Sequence, residues 1–411
     1  MNAQLEIPSP AIVRRGLTAT LLLWFLMNAG FFLLIPLLSV HFVDELGWAA
    51  AFIGLVLALR QFLQQGLTVF GGALADRIGA KRLIMAGILV RTVSFVIMGF
   101  AVTHTAVLLA GLMAALGGAL FDAPSKAVVA ALAPEEKLND LYAKVGILQN
   151  AARTVGPLLG GLLIQFDFQV VGLAAAGFFL VAFFIAWAGL PDIAVSTQTQ
   201  NVTTGLRLAL QDHAFVLYTA LMMGYWFMWV QLSIALPLEA IKLSGSNSSV
   251  AILFTVNAVI AIVLQVPVLR LAQRFLLPLP MLIVGILLMA VGLGSVAWAS
   301  TSWQLYQSIF FFALGTVLVM PNAQTVAATM ANPAARGAYF GVNSLALAIG
   351  GGIGQITGGT AVDLAATLNI PALPWMISAA AGLIAAAGLL RFYNHNRCRV
   401  TPRGLLADCG D

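Results

Sequence analysis

Three arginines, Arg60, Arg91 and Arg153, stand inside long apolar segments of this chain with no aspartate or glutamate close by in sequence. A guanidinium in hydrocarbon costs at least about 2.5–3.5 kcal/mol unless it faces water or a partner. Such a group therefore holds an anion, pairs with an acid from another segment, or ends on helix carbonyls. The second concentration of charge is the turn Gly72-Ala-Leu-Ala-Asp76-Arg77-Ile-Gly79-Ala-Lys81-Arg82, wedged between two apolar segments. A stretch so charged belongs at a membrane surface, and its cations predict the cytoplasmic side. Enzyme chemistry finds no support: H-E-x-x-H is absent, the four histidines are scattered, and no G-x-S-x-G stands on a plausible elbow. His395 and Cys398 have a ligand-like spacing without further partners, so neither a metal nor a cofactor is expected.

The elements that must position these groups follow from composition. With 61% apolar and 9% charged residues, and a mean hydropathy of +0.98, the chain cannot fold as a water-facing globule. Its apolar stretches are each about 20 residues, the length a helix needs to cross roughly 30 Å of hydrocarbon. They predict an all-α membrane protein with twelve spans, at 17–40, 50–71, 83–103, 106–126, 141–165, 170–190, 214–238, 250–269, 278–299, 303–325, 337–361 and 375–392. With both termini on the cytoplasmic side, the outer loops hold only Lys242, while every other Lys and Arg outside the three buried arginines falls on inner segments. The net charge of +5 thus reports topology, and no basic patch with interleaved aromatics points to nucleic acid. Arg14-Arg15 before an apolar run of some 24 residues, without a small-residue cleavage site, reads as the first span rather than a signal peptide. Cys398 and Cys409 fall in the polar tail on the cytoplasmic side, where thiols stay reduced. The sequons at Asn201 and Asn247 read as chance.

Shifting the chain by 198 residues brings Gly156-Pro157-x-x-Gly160-Gly161 onto Gly354-Gln355-x-x-Gly358-Gly359, and Ala115-Leu116-Gly117 onto Ala313-Leu314-Gly315. Two six-helix bundles in parallel orientation explain the match: 1–190, a linker at 191–213, a second bundle at 214–392, and a cytoplasmic tail at 393–411. The second copy of the charged turn is decayed, with Leu271-Ala272-Gln273-Arg274 standing where Leu74-Ala75-Asp76-Arg77 stands in the first.

At 100° per residue Arg60, Gln61, Gln64, Gln65 and Thr68 form one stripe on the second span. Arg60 lies twelve residues before Gly72, about 18 Å along the helix and hence near the midplane. A place in a translocation path and a structural role on helix-end carbonyls both fit it. On the fifth span Gln149, Asn150, Arg153, Gly146, Pro157 and Gly160 share a face, where the glycines serve close packing or a direct role. Arg91 is expected to pair with Asp122 at the foot of the fourth span. No acid is placed at the midplane. The first span offers Trp24, Asn28 and Phe31, the seventh Tyr225 and Trp229 on one face, and Asn257, Asn322 and Asn343 are polar candidates on spans 8, 10 and 11. Aromatic and Met-rich walls suit broad recognition and equally suit ordinary packing.

The pattern G-x-x-x-D-R-x-G-x-K-R, filled at every fixed position from Gly72 to Arg82, resembles the signature loop of the major facilitator superfamily. Gly156, Pro157, Gly160 and Gly161 resemble the helix 5 motif of its drug/proton antiporter branch, and Gly30 with Pro36 that branch's first-helix pattern without its final proline. Phe42–Ala50 and Arg60–Gly66 look like a bacterial multidrug-resistance group within it. The resemblance implies a monomeric secondary transporter of the inner membrane, exporting amphipathic, fluoroquinolone-like drugs by alternating access with proton coupling. It implies that Asp76, Arg77 and Asp122 form a charge cluster latching the outward-facing state, and that the Gly-Pro kink keeps the closed state proton-tight. The missing midplane acid leaves Asp76, Asp122, His41 and Asp44 as the groups that could carry the coupling. An arginine-rich, acid-poor centre also fits a facilitator or symporter for an anionic or zwitterionic metabolite or lipid.

Overall fold

The computed structural model describes residues 10–132, 135–192, 202–246, 248–332 and 335–400; within these, the side chains of residues 69–73, 76, 130, 135–140, 142–143, 150, 202–204, 336–337 and 398–400 are not described. The Asp76 side chain, both cysteines' side chains, the two sequon asparagines and the tail beyond Val400 therefore lie outside the described part of the molecule.

All regular structure among the described residues is helical. This is what a bilayer demands, since a helix satisfies its backbone polar groups within the segment. In chain order the α-helices are α1 (Pro10–Leu34), α2 (Ala50–Ile78), α3 (Ala80–Phe100), α4 (His104–Leu132), α5 (Glu135–Leu163), α6 (Phe168–Gly189), α7 (Val202–Gln211), α8 (His213–Trp229), α9 (Ala235–Ser244), α10 (Ser248–Ala272), α11 (Pro278–Ser295), α12 (Ser302–Met330), α13 (Arg336–Leu345), α14 (Gly352–Leu368) and α15 (Leu373–Val400). A π-helical stretch, Ala346–Gly351, joins α13 to α14, so the predicted eleventh span is one helix with a widened turn. Eleven helices among the described residues are long and apolar enough to cross a membrane. The fifth predicted span falls on α5, part of whose side chains lie outside the described residues.

Three expectations need correction. The charged turn is hardly a loop: α2 runs on to Ile78 and α3 begins at Ala80, leaving Gly79 as the joint, with φ +94°. The linker is not wholly irregular, because Val202–Gln211 folds as a helix whose apolar residues fall on one side. The last span does not end at 392 either, for α15 continues to Val400 with a break in helical geometry at Asn396.

The chain divides into two compact units. One is built from α1, the part of α2 from Leu63 onward, and α3 to α6; the other from Pro36–Phe62 together with α7 to α15. Residues 36–62, which the sequence assigns to the N-terminal bundle, thus belong by packing to the second unit.

The repeat read from sequence recurs in the packing. In the first unit α3 crosses α4 where a Cβ on Gly87 would meet the Gly117 carbonyl oxygen at 2.7 Å. In the second, 198 residues on, α11 crosses α12 where a Cβ on Gly285 would meet the Gly315 carbonyl oxygen at 2.8 Å. Likewise Gly156 lies against Ala29 and Leu33 of α1, and Gly354 against Phe227 of α8 and Val230 just after it. Lipid gives helices no hydrophobic reason to associate, so close backbone approach through small residues is what holds each crossing together.

Candidate substrate path and gating elements

In the first unit one polar side chain reaches the Asp122 carboxylate. Gln64 of α2 donates Nε2–H to Asp122 Oδ2 at 2.8 Å. The amide reaches the acid because position 118 is glycine: a Cβ there would fall 2.6 Å from Gln64 Cδ. Asp122 is half-buried and lies ten residues before Leu132, the end of α4. The sequence places the foot of α4 near residue 126, whereas the helix continues to Leu132.

The expected Arg91–Asp122 ion pair is not made among the described residues. The Arg91 guanidinium is buried between the rings of Phe31 and Phe179, 5.3 and 5.8 Å from their centroids, and Nε donates to the Ala114 carbonyl at 3.5 Å. The Asp122 charge acts on it only through space. Arg91 is also the counterpart of Met289 in the 198-residue repeat, and both side chains flank the α3/α4-type crossing at Gly117 and Gly315. Arg91 thus serves packing.

Of the implied Asp76–Arg77–Asp122 cluster, the Asp76 side chain lies outside the described residues, Arg77 is exposed with no described acid paired to it, and Asp122 is engaged by Gln64. Within the signature segment Lys81 is half-buried and Arg82 exposed. Gly79 needs its glycine, because a side chain at φ +94° is strained. The backbone at Gly72 is helical.

Arg153 lies over the Phe32 ring at 5.6 Å, and Gln149, one turn earlier on α5, is half-buried. Gly156, Pro157, Gly160 and Gly161 are all buried, Gly156 against the α1 backbone. Trp24 is buried edge-on against Phe121, 5.2 Å between centroids. Asn28 donates Nδ2–H back to the Trp24 carbonyl at 2.8 Å, and Phe31 packs on Phe32 and Phe95.

In the second unit Arg60 and Gln61 are buried, with Arg60 Nη2 donating to Gln61 Oε1 at 2.9 Å. Tyr225 is fully buried against Trp226, which also meets Trp229 at 5.5 Å, so α8 carries an aromatic cluster rather than two independent side chains. Asn322 is satisfied in the core by the Leu318 carbonyl at 2.7 Å. Asn257 and Asn343 are half-buried, and neither Oδ1 receives a hydrogen bond from the described residues.

Two features of this unit escape sequence reading. Gln231, buried, donates Nε2–H to the Phe227 and Gly354 carbonyls and so ties α8 to α14. Asp363 on α14 accepts from the backbone N–H groups of Ala50 and Ala51, at 2.9 and 2.7 Å, at the first turn of α2. Those N–H groups have no partner within their own helix, and a carboxylate there also meets the positive end of its dipole. Gly359 rests on the Ala50 carbonyl and Gly54 on that of Gln355, so the two helices touch backbone to backbone.

Membrane-long helices, a twofold internal repeat and a signature segment hinged on Gly79 are on these grounds properties of one architecture. The sequence profile of the Major Facilitator Superfamily matches residues 20–354, with a second match at 214–405. The chain belongs to the Major Facilitator Superfamily. Among curated relatives of this superfamily member, the Multidrug resistance protein MdtH of Salmonella typhimurium is 37% identical over 382 residues, covering 93% of this chain and 94% of the relative. MdtH of Citrobacter koseri is similar to the same degree. Among solved structures, a bacterial homolog of the human lysosomal transporter Spinster superposes with a TM-score of 0.80 at 13% identity, covering 96% of this chain and all of that one. The nucleoside transporter NupG reaches 0.79 at 12% identity, over 92% of this chain and 99% of that one. These establish the major facilitator fold for this multi-pass membrane protein.

Proposed function

We propose that this chain is an inner-membrane exporter of amphipathic drugs that works by alternating access of two six-helix bundles. The observation that carries the reading is the similarity to MdtH multidrug resistance proteins over 93% of the chain. The repeated glycine crossings support a pair of rigid bundles, since each is held internally by close helix contacts rather than by loops. Both termini face the cytoplasm in this reading, because nearly all cations outside the spans then lie on inner segments.

Export is driven by protons, and Asp122 carries them. It is half-buried and held by an uncharged Gln64 that can stay bonded when the carboxyl is protonated. Loss of its charge would release whichever state the charge favours. The protein works as a monomer.

The alternative cargo, an anionic or zwitterionic metabolite, draws on Arg60 and Arg153. Arg91 no longer counts toward it, because its guanidinium is spent on Phe31, Phe179 and Ala114. The test is accumulation of a fluoroquinolone and of ethidium in efflux-deficient bacteria making this protein, with and without a protonophore. Lower accumulation that the protonophore restores is expected. Unchanged accumulation of both drugs, with the protein shown in the membrane, overturns the export reading in favour of the metabolite.

A further inference from the structure

Where α1 begins and α6 ends, the first unit carries an open groove of about 620 Å³. Arg14, Arg15 and Thr18 form its polar rim, and Leu22, Ile185 and Ala188 are among its apolar walls. No described carboxylate lines it. The two arginines differ in what they already do. Arg15 Nη2 donates to the Ala188 carbonyl at the end of α6, where a cation also meets the negative end of the helix dipole. Arg14 is exposed and makes no ion pair with any described acid.

The level of the groove is fixed by its neighbours. Trp187, beside Ala188, is 63% exposed, and indoles gather where headgroups meet hydrocarbon. Leu22, two turns deeper along α1 than Arg14, is 45% exposed toward the hydrocarbon side. A cleft with two guanidiniums at headgroup level and an exposed aliphatic wall below matches one kind of molecule. Guanidinium forks suit phosphate oxygens, and basic clefts between helices at the membrane surface suit anionic headgroups. No described lining residue would pair with the ammonium of a zwitterionic headgroup.

We propose that this groove binds an anionic phospholipid, the headgroup phosphate on Arg14 and the remaining Arg15 donors and one acyl chain along Leu22 and Ile185. The site is independent of the export reading, since it needs only that the chain sits in a bilayer.

Native mass spectrometry of the purified full-length protein, with phosphatidylglycerol or phosphatidylcholine added, tests it. Phosphatidylglycerol should be retained over phosphatidylcholine. Arg14→Gln should lower that retention about fivefold, the effect of one cation at a membrane surface, while Arg14→Lys keeps most of it. Ala188→Phe, which fills the cleft while leaving the Arg15 contact to the main chain, should lower it as well. Equal retention of the two lipids overturns the proposal, as does phosphatidylglycerol retention unchanged in both Arg14→Gln and Ala188→Phe. Displacement of the lipid by millimolar glycerol 3-phosphate also overturns it, because the acyl wall would then contribute nothing.

Discussion

Asp363 caps the first turn of α2 across more than three hundred residues of sequence, its two carboxylate oxygens taking the Ala50 and Ala51 N–H groups at 2.9 and 2.7 Å. With Gly54 and Gly359 allowing backbone contact on either side, the carboxylate fastens the first turn of α2 to α14. Hydrogen bonds to a charged group are worth about 1.5–3 kcal/mol each, so neutralising the acid weakens this attachment substantially. In a chain with Cys398 and Cys409 replaced, Asp363→Asn should raise labelling of Ala51→Cys by a membrane-impermeant maleimide about tenfold, the consequence of roughly 1.4 kcal/mol. Labelling equal to that of the Asp363 parent would show that the glycine contacts alone hold the helix.

Asp122→Asn should abolish the protonophore-sensitive part of drug export while leaving the protein folded, since Gln64 Nε2 can still donate to the asparagine carbonyl. Export assayed in membrane vesicles with an imposed proton gradient measures this. A variant that still responds to the gradient excludes Asp122 as the coupling group.

Arg91→Met should be tolerated. Met289 fills the corresponding place beside Gly315 in the other repeat, and Arg91 makes ring and carbonyl contacts rather than an ion pair. Volume-conserving changes in a packed interior cost less than about 1.5 kcal/mol, so thermal unfolding should shift little and transport should persist. Loss of transport with unchanged stability would place Arg91 in the substrate path instead.

Gly156→Ala places a methyl group 2.7 Å from the Ala29 carbonyl oxygen and should destabilise by about 1–3 kcal/mol through overpacking. Gly146→Ala, on the same helix with open space around it, is the matched control and should be neutral or mildly stabilising. Thermal denaturation of both in detergent checks the contrast.

At the joint of the signature segment, Gly79→Ala asks an alanine to hold φ +94°. The strain is about 1–2 kcal/mol, and transport should fall more than stability if the α2–α3 joint moves during the cycle. Comparison of export rate with unfolding temperature separates the two.

Fold class, span lengths and family were legible in the amino-acid order because they depend on local quantities: apolar run length, cation placement, and small residues repeating 198 positions apart. Gly79, Gly117 and Gly315 stood out in the sequence as motif and repeat positions, but that the first is the α2–α3 joint and the others helix crossings came only from the packing. What each polar group does was decided only by tertiary structure. Arg91 and Arg153 look alike as buried cations, yet the first is enclosed by Phe31, Phe179 and Ala114 and the second lies over Phe32. Asp122 reads as a partner for Arg91 until Gln64 proves to hold it, and Asp363 reads as an outer-loop charge until α14 brings it to the N–H groups of Ala50 and Ala51. Sequence spacing sets where a residue lies along its own helix. Its partner depends on which other helix passes at that depth, and that is a property of packing between segments far apart in the chain.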